Sequence, residues 1–471
     1  MITLKKIVKL SSIILFSFLL VILLVFYLSI RQIDTTPYFE TDYYSQTLDR
    51  VNSNLANRIK AQGKLKAGFA KINITPKIVI GKQNPENGEF NAIRLAGYGD
   101  GKFAKGIHDS IFVKSIATEI NGTKIIFVSA DLLLIPPEIA ENVASKLSKI
   151  SDVKREQLIF GATHTHSSIG NSIPSYVGEK FEGEYNHEVV EWLSKKITEV
   201  ILKSISDLKE SQIADGYIHA PELVGNRIIG EKGRLNDKLT VIKIRQDKGK
   251  TAVIGIYAAH ATTLGAWNDQ FSGDYPGYFQ KEMEKKDVDL CMFFAGTVGS
   301  HTNKGIGNKF ERSKFVGKSL ADSVQKISPK LDFTENVNVQ FFCSEIEIPE
   351  LQIIYISDGF RLASSLAKKI IPPIDSVIIQ AVKLNDLLWI TLPCELSGEY
   401  AVDLKNALDL KGINSVITSF NGQYLGYVVP AKYYYYDNYE SRLMGWFGPS
   451  FGDYLMELNF TIADSLTGFK L

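Results

Sequence analysis

The sequence is poor in cysteine and has no excess of charge of either sign. Its three cysteines, Cys291, Cys343 and Cys394, are an odd number spread over distant segments, which excludes a disulfide framework. No Cys-x-x-Cys pair is present to favour a thiolate zinc site. The 53 basic and 52 acidic side chains leave a formal net charge of +1. Because no basic block follows the amino terminus, nucleic-acid binding is not expected.

Charge is also missing from one long apolar run. Residues 10–30 contain no charged side chain and, as a helix, are long enough to cross about 30 Å of hydrocarbon. Lys5, Lys6 and Lys9 precede the run, so we predict a single-pass membrane protein with cytoplasmic residues 1–9, an anchor at 10–30 and an extracytoplasmic remainder. A cleaved signal peptide is the alternative, although no small-x-small cleavage site follows.

The remainder of the 471 residues is rich enough in apolar side chains, 45% of the whole chain, to form a packed core. Residues 31–64 are polar and weakly periodic, and we predict a juxtamembrane stalk there. Over residues 65–471, apolar strands alternate with amphipathic helices, and Asn121-Gly122 indicates a hairpin. The predicted fold class is therefore α/β, with a layered mixed β-sheet flanked by helices and preceded by one transmembrane helix.

Polar residues follow several of the predicted apolar strands. They are Asp131, His164, His260, Thr302 and Glu395. In layered α/β domains the carboxyl ends of strands meet at one edge, so we expect these side chains to converge. His164 and His166 are two residues apart and would project to the same face of an extended segment. Two or three histidines with a carboxylate are typical of a zinc site, and the alternative is that these imidazoles only bond backbone carbonyls.

Several segments, taken in order, resemble a known family. They are residues 67–76 (AGFAKINITP), 106–109 (GIHD), 128–131 (VSAD), 162–167 (ATHTHS) and the pair Asn226-Arg227, followed by a strand-end histidine and a late Pro-x-Glu. This order resembles the catalytic domain of the neutral, non-lysosomal ceramidases over nearly everything from Leu65 to the end. The resemblance implies a zinc-dependent amidohydrolase that cleaves an N-acyl bond, as in the conversion of ceramide to sphingosine and a fatty acid.

The same resemblance implies roles for individual residues. The implied Zn²⁺ ligands are His164, His260, Glu395 and Tyr427. His166 and Arg227 are implied to position the substrate for catalysis, and Tyr439 is a further implied substrate residue in a tyrosine-rich loop. The second histidine of the Thr-His-Thr-His segment is thus a substrate residue and not a second ligand from that segment.

The chain departs from the family at the nucleophile. Family members carry Gly-x-x-Ser-Pro, whereas residues 299–303 read Gly-Ser-His-Thr-Asn, so Thr302 takes the serine position and the proline is missing. Three alternatives remain for the attacking group: the Thr302 hydroxyl, the Ser300 hydroxyl, or zinc-bound water. His301 is either a base or a turn residue.

Two other functions stay open besides a ceramidase-like hydrolase. One is a zinc hydrolase of the same fold acting on another N-acyl or ester substrate of the cell envelope. The other is a non-catalytic, membrane-anchored binding protein that kept the fold. In either enzymatic case the expected partners are a lipid-like N-acyl substrate and the membrane that holds the anchor.

Overall fold

The computed structural model describes residues 4–99, 101–286, 288–355, 357–374 and 377–470. The start of the predicted cytoplasmic segment, residues 1–3, and the last residue of the predicted catalytic domain, Leu471, lie outside the described residues. The helices are α1 (Leu4–Ser29), α2 (Asp42–Ala56), α3 (Pro137–Ser148), α4 (Tyr176–Glu182), α5 (His187–Ser206), α6 (Asp274–Glu284), α7 (Lys309–Ile327), α8 (Ser364–Ala367), α9 (Gly398–Asp409), α10 (Tyr439–Arg442) and α11 (Phe451–Thr467).

The strands follow the same numbering along the chain. They are β1 (Ile30–Gln32), β2 (Ile59–Asn73), β3 (Lys77–Ile78), β4 (Glu89–Phe90), β5 (Gly106–Ile107), β6 (Phe112–Ile120), β7 (Thr123–Ala130), β8 (Leu158–Ala162), β9 (Lys209–His219), β10 (Val224–Asn226), β11 (Lys238–Gln246), β12 (Thr251–Tyr257), β13 (Gln270–Phe271), β14 (Leu290–Ala295), β15 (His301–Asn303), β16 (Asn336–Glu345), β17 (Phe360–Leu362), β18 (Ile378–Leu384), β19 (Leu387–Thr391), β20 (Glu395–Leu396), β21 (Asn414–Thr418) and β22 (Tyr427–Val428).

Twelve strands form one mixed sheet with the order β14-β12-β11-β9-β2-β16-β18-β19-β21, to which β6, β7 and β8 are added beside β2. The 15-residue strand β2 pairs with β16 through residues 59–64 and with β6 through residues 65–73. One continuous strand therefore joins the two parts of the sheet. The predicted hairpin is confirmed: Asn121 and Gly122, both with positive φ, connect β6 to β7.

The sheet folds over so that its two parts face each other. Phe127 of β7 stacks on Trp389 of β19 with ring centroids 5.0 Å apart, although these strands are not hydrogen-bonded neighbours. Phe294 of β14 packs against the same indole at 4.9 Å. At Gly161 of β8 an added Cβ would lie 2.2 Å from the Phe294 ring, so this close approach requires glycine. A continuous apolar core lies between the two parts.

Helices cover the outer faces of the folded sheet. Apolar faces of α3 and α5 pack on β6, β7 and β8, while α6 and α7 pack on β11, β12 and β14. A third core joins α2, α9 and α11 to strands β16, β18 and β19. The predicted layered, mixed α/β fold is confirmed.

Residues 42–64 differ from the stalk predicted over 31–64, because they are part of the folded domain. Helix α2 buries Thr47, Val51 and Leu55, which are four residues apart and form one narrow stripe on the helix. The other positions of α2 are mostly polar, which explains the weak periodicity of the sequence. Strand β2 begins at Ile59, inside the predicted stalk.

Helix α1 precedes the domain. Within the described residues, Lys6–Ser29 is long and apolar enough to cross a membrane, and none of it is buried against the domain. Such a helix near the amino terminus is compatible with a membrane span and with a signal sequence. Strand β1 follows α1 without a break and pairs with β17.

Candidate metal centre and adjoining cleft

The candidate site lies at the carboxyl ends of parallel strand pairs. His164 follows β8, which is parallel to β7, and His260 follows β12, which is parallel to β14. Glu395 begins β20, shortly after β19, which is parallel to β21. His164 has φ +60, a left-handed conformation that is uncommon outside glycine and typical of functional positions. The structure thus brings His164, His260 and Glu395 together as expected.

The imidazoles of His164, His166 and His260 point their Nε2 atoms at one another. The separation of these atoms is 2.8 Å between His164 and His260. It is 3.1 Å between His260 and His166 and 3.4 Å between His166 and His164. His164 and His260 are buried, whereas His166 is partly exposed to the adjoining cleft.

The opposite nitrogens of the three rings face backbone carbonyls. Nδ1 of His164 is 2.7 Å from Leu133 O, and Nδ1 of His166 is 3.0 Å from Gly97 O. Nδ1 of His260 is 3.3 Å from Val298 O. A carbonyl oxygen only accepts, so these contacts place the proton of each neutral ring on Nδ1 and leave a lone pair on each Nε2. Three lone pairs facing one another repel unless a cation lies between them.

Glu395 and Tyr427 add oxygen atoms beside the histidines. Oε2 of Glu395 is 3.5 Å from His164 Nε2 and 3.7 Å from His260 Nδ1. This buried oxygen accepts no hydrogen bond among the described residues, whereas Oε1 accepts one from the Tyr424 hydroxyl at 2.7 Å. The Tyr427 hydroxyl is 3.5 Å from His260 Nε2. An orphaned carboxylate oxygen in a buried site is expected where a metal ion supplies the missing partner.

These donors fit a divalent cation. Four ligands placed tetrahedrally at about 2.0–2.1 Å from zinc lie about 3.3 Å from one another. The Nε2 separations of 2.8 to 3.4 Å are close to that value. Backbone carbonyls on Nδ1 are also the usual outer partners of metal-bound histidines. The His164, His166 and His260 group could therefore hold a metal ion, with Glu395 and Tyr427 beside it.

Burial and neighbouring charges set the protonation of the site. Burial lowers the pKa of His166 and of His260 well below the usual range, and the other histidines and Arg227 lower it further. Burial and the Glu395 charge raise the pKa of Tyr427 well above its usual range, while Arg227 opposes this rise. Burial disfavours the charged form of Arg227, but Tyr427 and Glu440 outweigh burial and raise its pKa. His166 and His260 are therefore held neutral, the form in which an imidazole can bind a metal.

Arg227 lies over the ring of Tyr427. Its guanidinium carbon is 5.3 Å from the centroid of the Tyr427 ring, and its Nε is 2.7 Å from Oε1 of Glu440. The backbone N–H of Arg227 donates to Ser300 O at 2.9 Å, which ties β10 to the loop before β15. Glu440, in α10, therefore holds the guanidinium next to the site.

An apolar cleft opens from the histidines. Apolar and aromatic side chains form most of its wall: Leu133, Leu134, Ile173, Val177, Phe181, Tyr424, Met444 and Trp446. Tyr439 also lines it, with its ring 5.6 Å from that of Tyr427 and 6.5 Å from that of Phe181. A cleft with this lining suits an apolar chain that ends at the polar centre.

The candidate nucleophiles differ in their surroundings. Thr302 lies in β15, and its backbone bridges that of His260. Its hydroxyl makes no hydrogen bond to any described residue, and the side chain is partly exposed. The Ser300 hydroxyl is buried and lies 2.8 Å from both His301 Nδ1 and the Ser397 hydroxyl. Nε2 of His301 accepts from Asn236 N at 2.8 Å, so His301 and Ser300 belong to a closed internal network.

Asp131 does not join the histidines, although we expected it at the same edge. One carboxylate oxygen accepts from Phe112 N at 2.9 Å, and the other accepts from Gln280 Nε2 at 2.8 Å. This carboxylate is buried and hydrogen-bonded on both oxygens, and it fixes the end of β7 against β6 and α6.

Several residues of the site were not predicted from the sequence. Tyr424 positions Glu395, and Phe420 stacks on the His164 ring with centroids 4.4 Å apart. Gly97 has φ +105, and a Cβ added there would lie 2.4 Å from His166 Nδ1. The glycine-rich loop around Gly97 was the available signal, because such loops allow close approach of the backbone. No spacing in the sequence indicates that Tyr424 or Phe420 contacts the site.

The sequence profile of the neutral/alkaline non-lysosomal ceramidase N-terminal domain matches residues 81–331, more than half of the chain. The chain belongs to this family. None of the curated protein sequences matches it.

Solved ceramidase structures share the fold. The neutral ceramidase from Pseudomonas aeruginosa superposes with a TM-score of 0.70 at 17% identity, covering 87% of this chain and 75% of that one. A ceramidase solved in complex with C2 gives a TM-score of 0.70 at 16% identity, covering 86% and 76%. The ceramidase match supports the α/β architecture, and family membership supports a hydrolase of amide bonds.

Proposed function

We propose that this ceramidase-family chain is a zinc-dependent amidohydrolase that cleaves the N-acyl bond of a lipid-like substrate. One observation carries the proposal: three imidazoles and an orphaned carboxylate oxygen converge at the inner end of an apolar cleft. An acyl chain in that cleft would present its amide carbonyl to the polar centre. Ceramide is the first candidate because of the family, and another N-acyl lipid is the alternative.

The proposed zinc ligands are His164, His260, Glu395 and Tyr427. His164 and His260 are both buried, and Nε2 of His164 is 2.8 Å from Nε2 of His260 and 3.5 Å from Glu395 Oε2, which supports their assignment as a set. A divalent cation bound there would polarise the substrate carbonyl and stabilise the negative charge that develops on its oxygen. Tyr424 would keep Glu395 in place through its hydrogen bond to Oε1.

The proposed substrate residues are His166, Arg227 and Tyr439. His166 is the cluster histidine partly exposed to the cleft, and its contact with Gly97 O leaves Nε2 as an acceptor for a substrate N–H or O–H. Arg227 is held by Glu440 and would donate N–H groups to a substrate carbonyl or hydroxyl. Tyr439 lines the cleft and would contact the substrate there.

Thr302 is the proposed nucleophile. Its hydroxyl is free of hydrogen bonds to the described residues, and its strand pairs with β10, which leads directly to Arg227. Ser300 is disfavoured because the hydroxyl is held by His301 Nδ1, Gly398 N and Ser397. Activation of Ser300 would require this buried network to open.

Helix α1 is the proposed anchor, with the catalytic domain on the extracytoplasmic side. The length of the helix and the absence of burial along its apolar window support this assignment. The lysines before it support the orientation.

The test is hydrolysis by the purified full chain in detergent, combined with metal analysis. We expect stoichiometric zinc and release of fatty acid from ceramide or from another member of a panel of N-acyl lipids. Thr302→Ser should retain activity and Thr302→Ala should lose it, whereas Ser300→Ala should lower stability more than turnover. Zinc without hydrolysis of any amide in the panel would indicate a binding protein and would refute the proposal.

A further inference from the structure

We propose that the outer rim of the cleft is a docking surface for a lipid bilayer, held against the membrane by the strand that follows α1. We define the rim as five exposed side chains on the segments that adjoin the cleft: Tyr176, Tyr355, Phe360, Tyr439 and Leu443. Tyr439 lines the cleft, and Tyr176 and Leu443 directly precede the cleft residues Val177 and Met444. Tyr355 and Phe360 flank the turn whose Asp358 pairs with Arg442 of α10. The proposal depends on α1 being a membrane span, as proposed above, and is independent of whether the chain hydrolyses an amide.

Helix α1 is joined directly to the domain, with no linker residue between them. Helix α1 ends at Ser29 and β1 starts at Ile30, where the chain pairs at once with β17. Ser29 O accepts from Ala363 N at 2.8 Å, and Ile33 N donates to Gly359 O at 3.0 Å. Backbone hydrogen bonds on both sides of β1 therefore hold the end of α1, where the chain would leave the membrane, against the segment around β17. A flexible linker would allow the domain to rotate relative to α1, whereas these hydrogen bonds restrict that rotation.

The β17 segment is in turn connected to the cleft. Asp358, in the turn before β17, forms an ion pair with Arg442 of α10, and α10 carries Tyr439 at the cleft. After β17, Ile370 O accepts from Val177 N at 2.8 Å, and Val177 lines the cleft wall. Pro372 of the same segment also lines the cleft. The chain that leaves α1 is thus connected to the cleft in two steps. Strand β1 pairs with β17, and the ion pair of Asp358 with Arg442 joins the β17 segment to α10.

The side chains on this rim have the composition of a membrane interface. Their exposed fractions range from 41% for Tyr439 to 60% for Tyr176. Tyrosine side chains, which combine an apolar ring with a hydroxyl that contacts water, are enriched at the headgroup level of membranes. Lys368 and Lys369 are exposed in the segment after β17 and form no ion pair with any described residue. Such cations are attracted to anionic headgroups.

A bilayer is the occupant that these observations favour. A protein partner would not explain why the apolar rim lies at the junction where α1 leaves the domain. With the rim at the headgroups, an acyl chain could pass from the bilayer into the cleft without exposure to bulk water. The structure therefore assigns to this face the role of an entrance from the membrane.

The test is a depth measurement on the full chain in liposomes of phosphatidylcholine and phosphatidylglycerol. A bimane label is attached to Leu443→Cys on the rim, or to Ile150→Cys as a matched, exposed apolar control. Ile150 follows α3, which returns the chain from the carboxyl end of β7 to the start of β8, the end of the sheet opposite the cleft. The unsubstituted chain, treated identically, corrects for labelling of its native cysteines.

We expect brominated acyl chains to quench the label at position 443 at least about twofold more than at position 150, because only the former lies at membrane depth. Equal quenching at both positions would overturn the proposal. Release of the full chain from the liposomes by alkaline carbonate would also overturn it, since α1 would then not span the membrane. Neither readout requires turnover, so a failure of the proposed hydrolase function is distinguished from a failure of docking.

Discussion

Two buried clusters of histidine and oxygen lie on neighbouring segments and differ in how their polar atoms are satisfied. In the first, formed by His164, His166 and His260, the Nε2 lone pairs face one another and Glu395 Oε2 has no hydrogen-bond donor among the described residues. In the second, His301 and Ser300 bond to each other, and Asn236 N and Gly398 N donate to their remaining acceptor positions.

Burial of a histidine therefore does not identify a site in this molecule. His301 is as buried as His260, and burial lowers its pKa to about 4. The difference is that the second cluster is complete without a ligand, whereas the first needs a positive charge to be stable. The unsatisfied cluster also opens to the apolar cleft, so its missing partner is next to the place where a substrate would bind.

The largest effect should come from removing a buried imidazole of the first cluster, which contains His164, His166 and His260. We expect His164→Ala and His260→Ala each to lose bound zinc and to reduce hydrolysis by roughly 10³-fold or more, because the polarising charge would be lost. Elemental analysis and a fatty-acid release assay measure both. His187→Ala, at an exposed position, is the control. Full zinc occupancy in either buried variant would contradict the ligand assignment.

His166→Ala should separate metal binding from substrate positioning. His166 is partly exposed and, unlike His164 and His260, forms no ion pair with Glu395, so we expect zinc to be retained while hydrolysis falls by roughly 10²-fold. The same two measurements apply. Loss of zinc to the extent seen for His164→Ala would instead make His166 a third histidine ligand.

In the second cluster, formed by His301 and Ser300, the corresponding histidine substitution should lower the stability of the fold and leave the bound zinc unchanged. His301→Ala leaves Asn236 N without its acceptor and removes one of the three partners of the Ser300 hydroxyl, which should lower the free energy of unfolding by roughly 2–4 kcal/mol. Thermal or denaturant unfolding measures this change, and zinc content should be unaffected. A folded variant that had lost hydrolysis at unchanged stability would show that His301 acts in the chemistry.

The smallest effect concerns Glu182, a buried carboxyl group next to the cleft segment. Burial raises its pKa from 4.5 to about 7, although Ser172 N and its hydroxyl donate to Oε2. The folded state thus keeps a proton that the unfolded state has released, so the free energy of unfolding should fall as the pH rises from about 5 to about 7, by at most roughly 3 kcal/mol.

Glu182→Gln keeps an acceptor for Ser172 and removes the titration. Its melting temperature should therefore fall less than that of the unsubstituted chain between pH 5 and pH 8. Parallel melting curves for the two proteins over this range would contradict the assignment. The expected difference sharpens the contrast with the metal centre, because Glu182 has neither a cation nor a second donor residue among the described residues.

The sequence predicted which strands end at the site better than it predicted the role of each side chain there. Apolar runs ending in His164 and His260 indicate buried strands whose ends meet, because strand order in layered α/β folds constrains where carboxyl ends lie. Asp131 has the same pattern, yet its carboxylate is used by Phe112 N and Gln280, which no local pattern reveals. Tyr427 and the ligand role of Glu395 came from the family resemblance alone.

Other features depend on contacts between distant residues. Tyr424 and Phe420 reach Glu395 and His164 only through the folded loop between β21 and β22. Strands β21 and β22 follow each other along the chain, yet β21 pairs with β19 and β22 pairs with β20. The amphipathic stripe of α2 is too narrow to stand out in a polar segment, so its packing became visible only in the fold.

Strand β2 also determines how the chain can be divided. It begins at Ile59, upstream of the region matched by the family profile, and contacts β6, β9 and β16. A fragment trimmed to residues 81–331 would lose this shared central strand together with Glu395 and Tyr427. The block matched by the family profile is therefore not a self-sufficient folding unit, and expression boundaries should be chosen outside both α2 and α11, which belong to the same core.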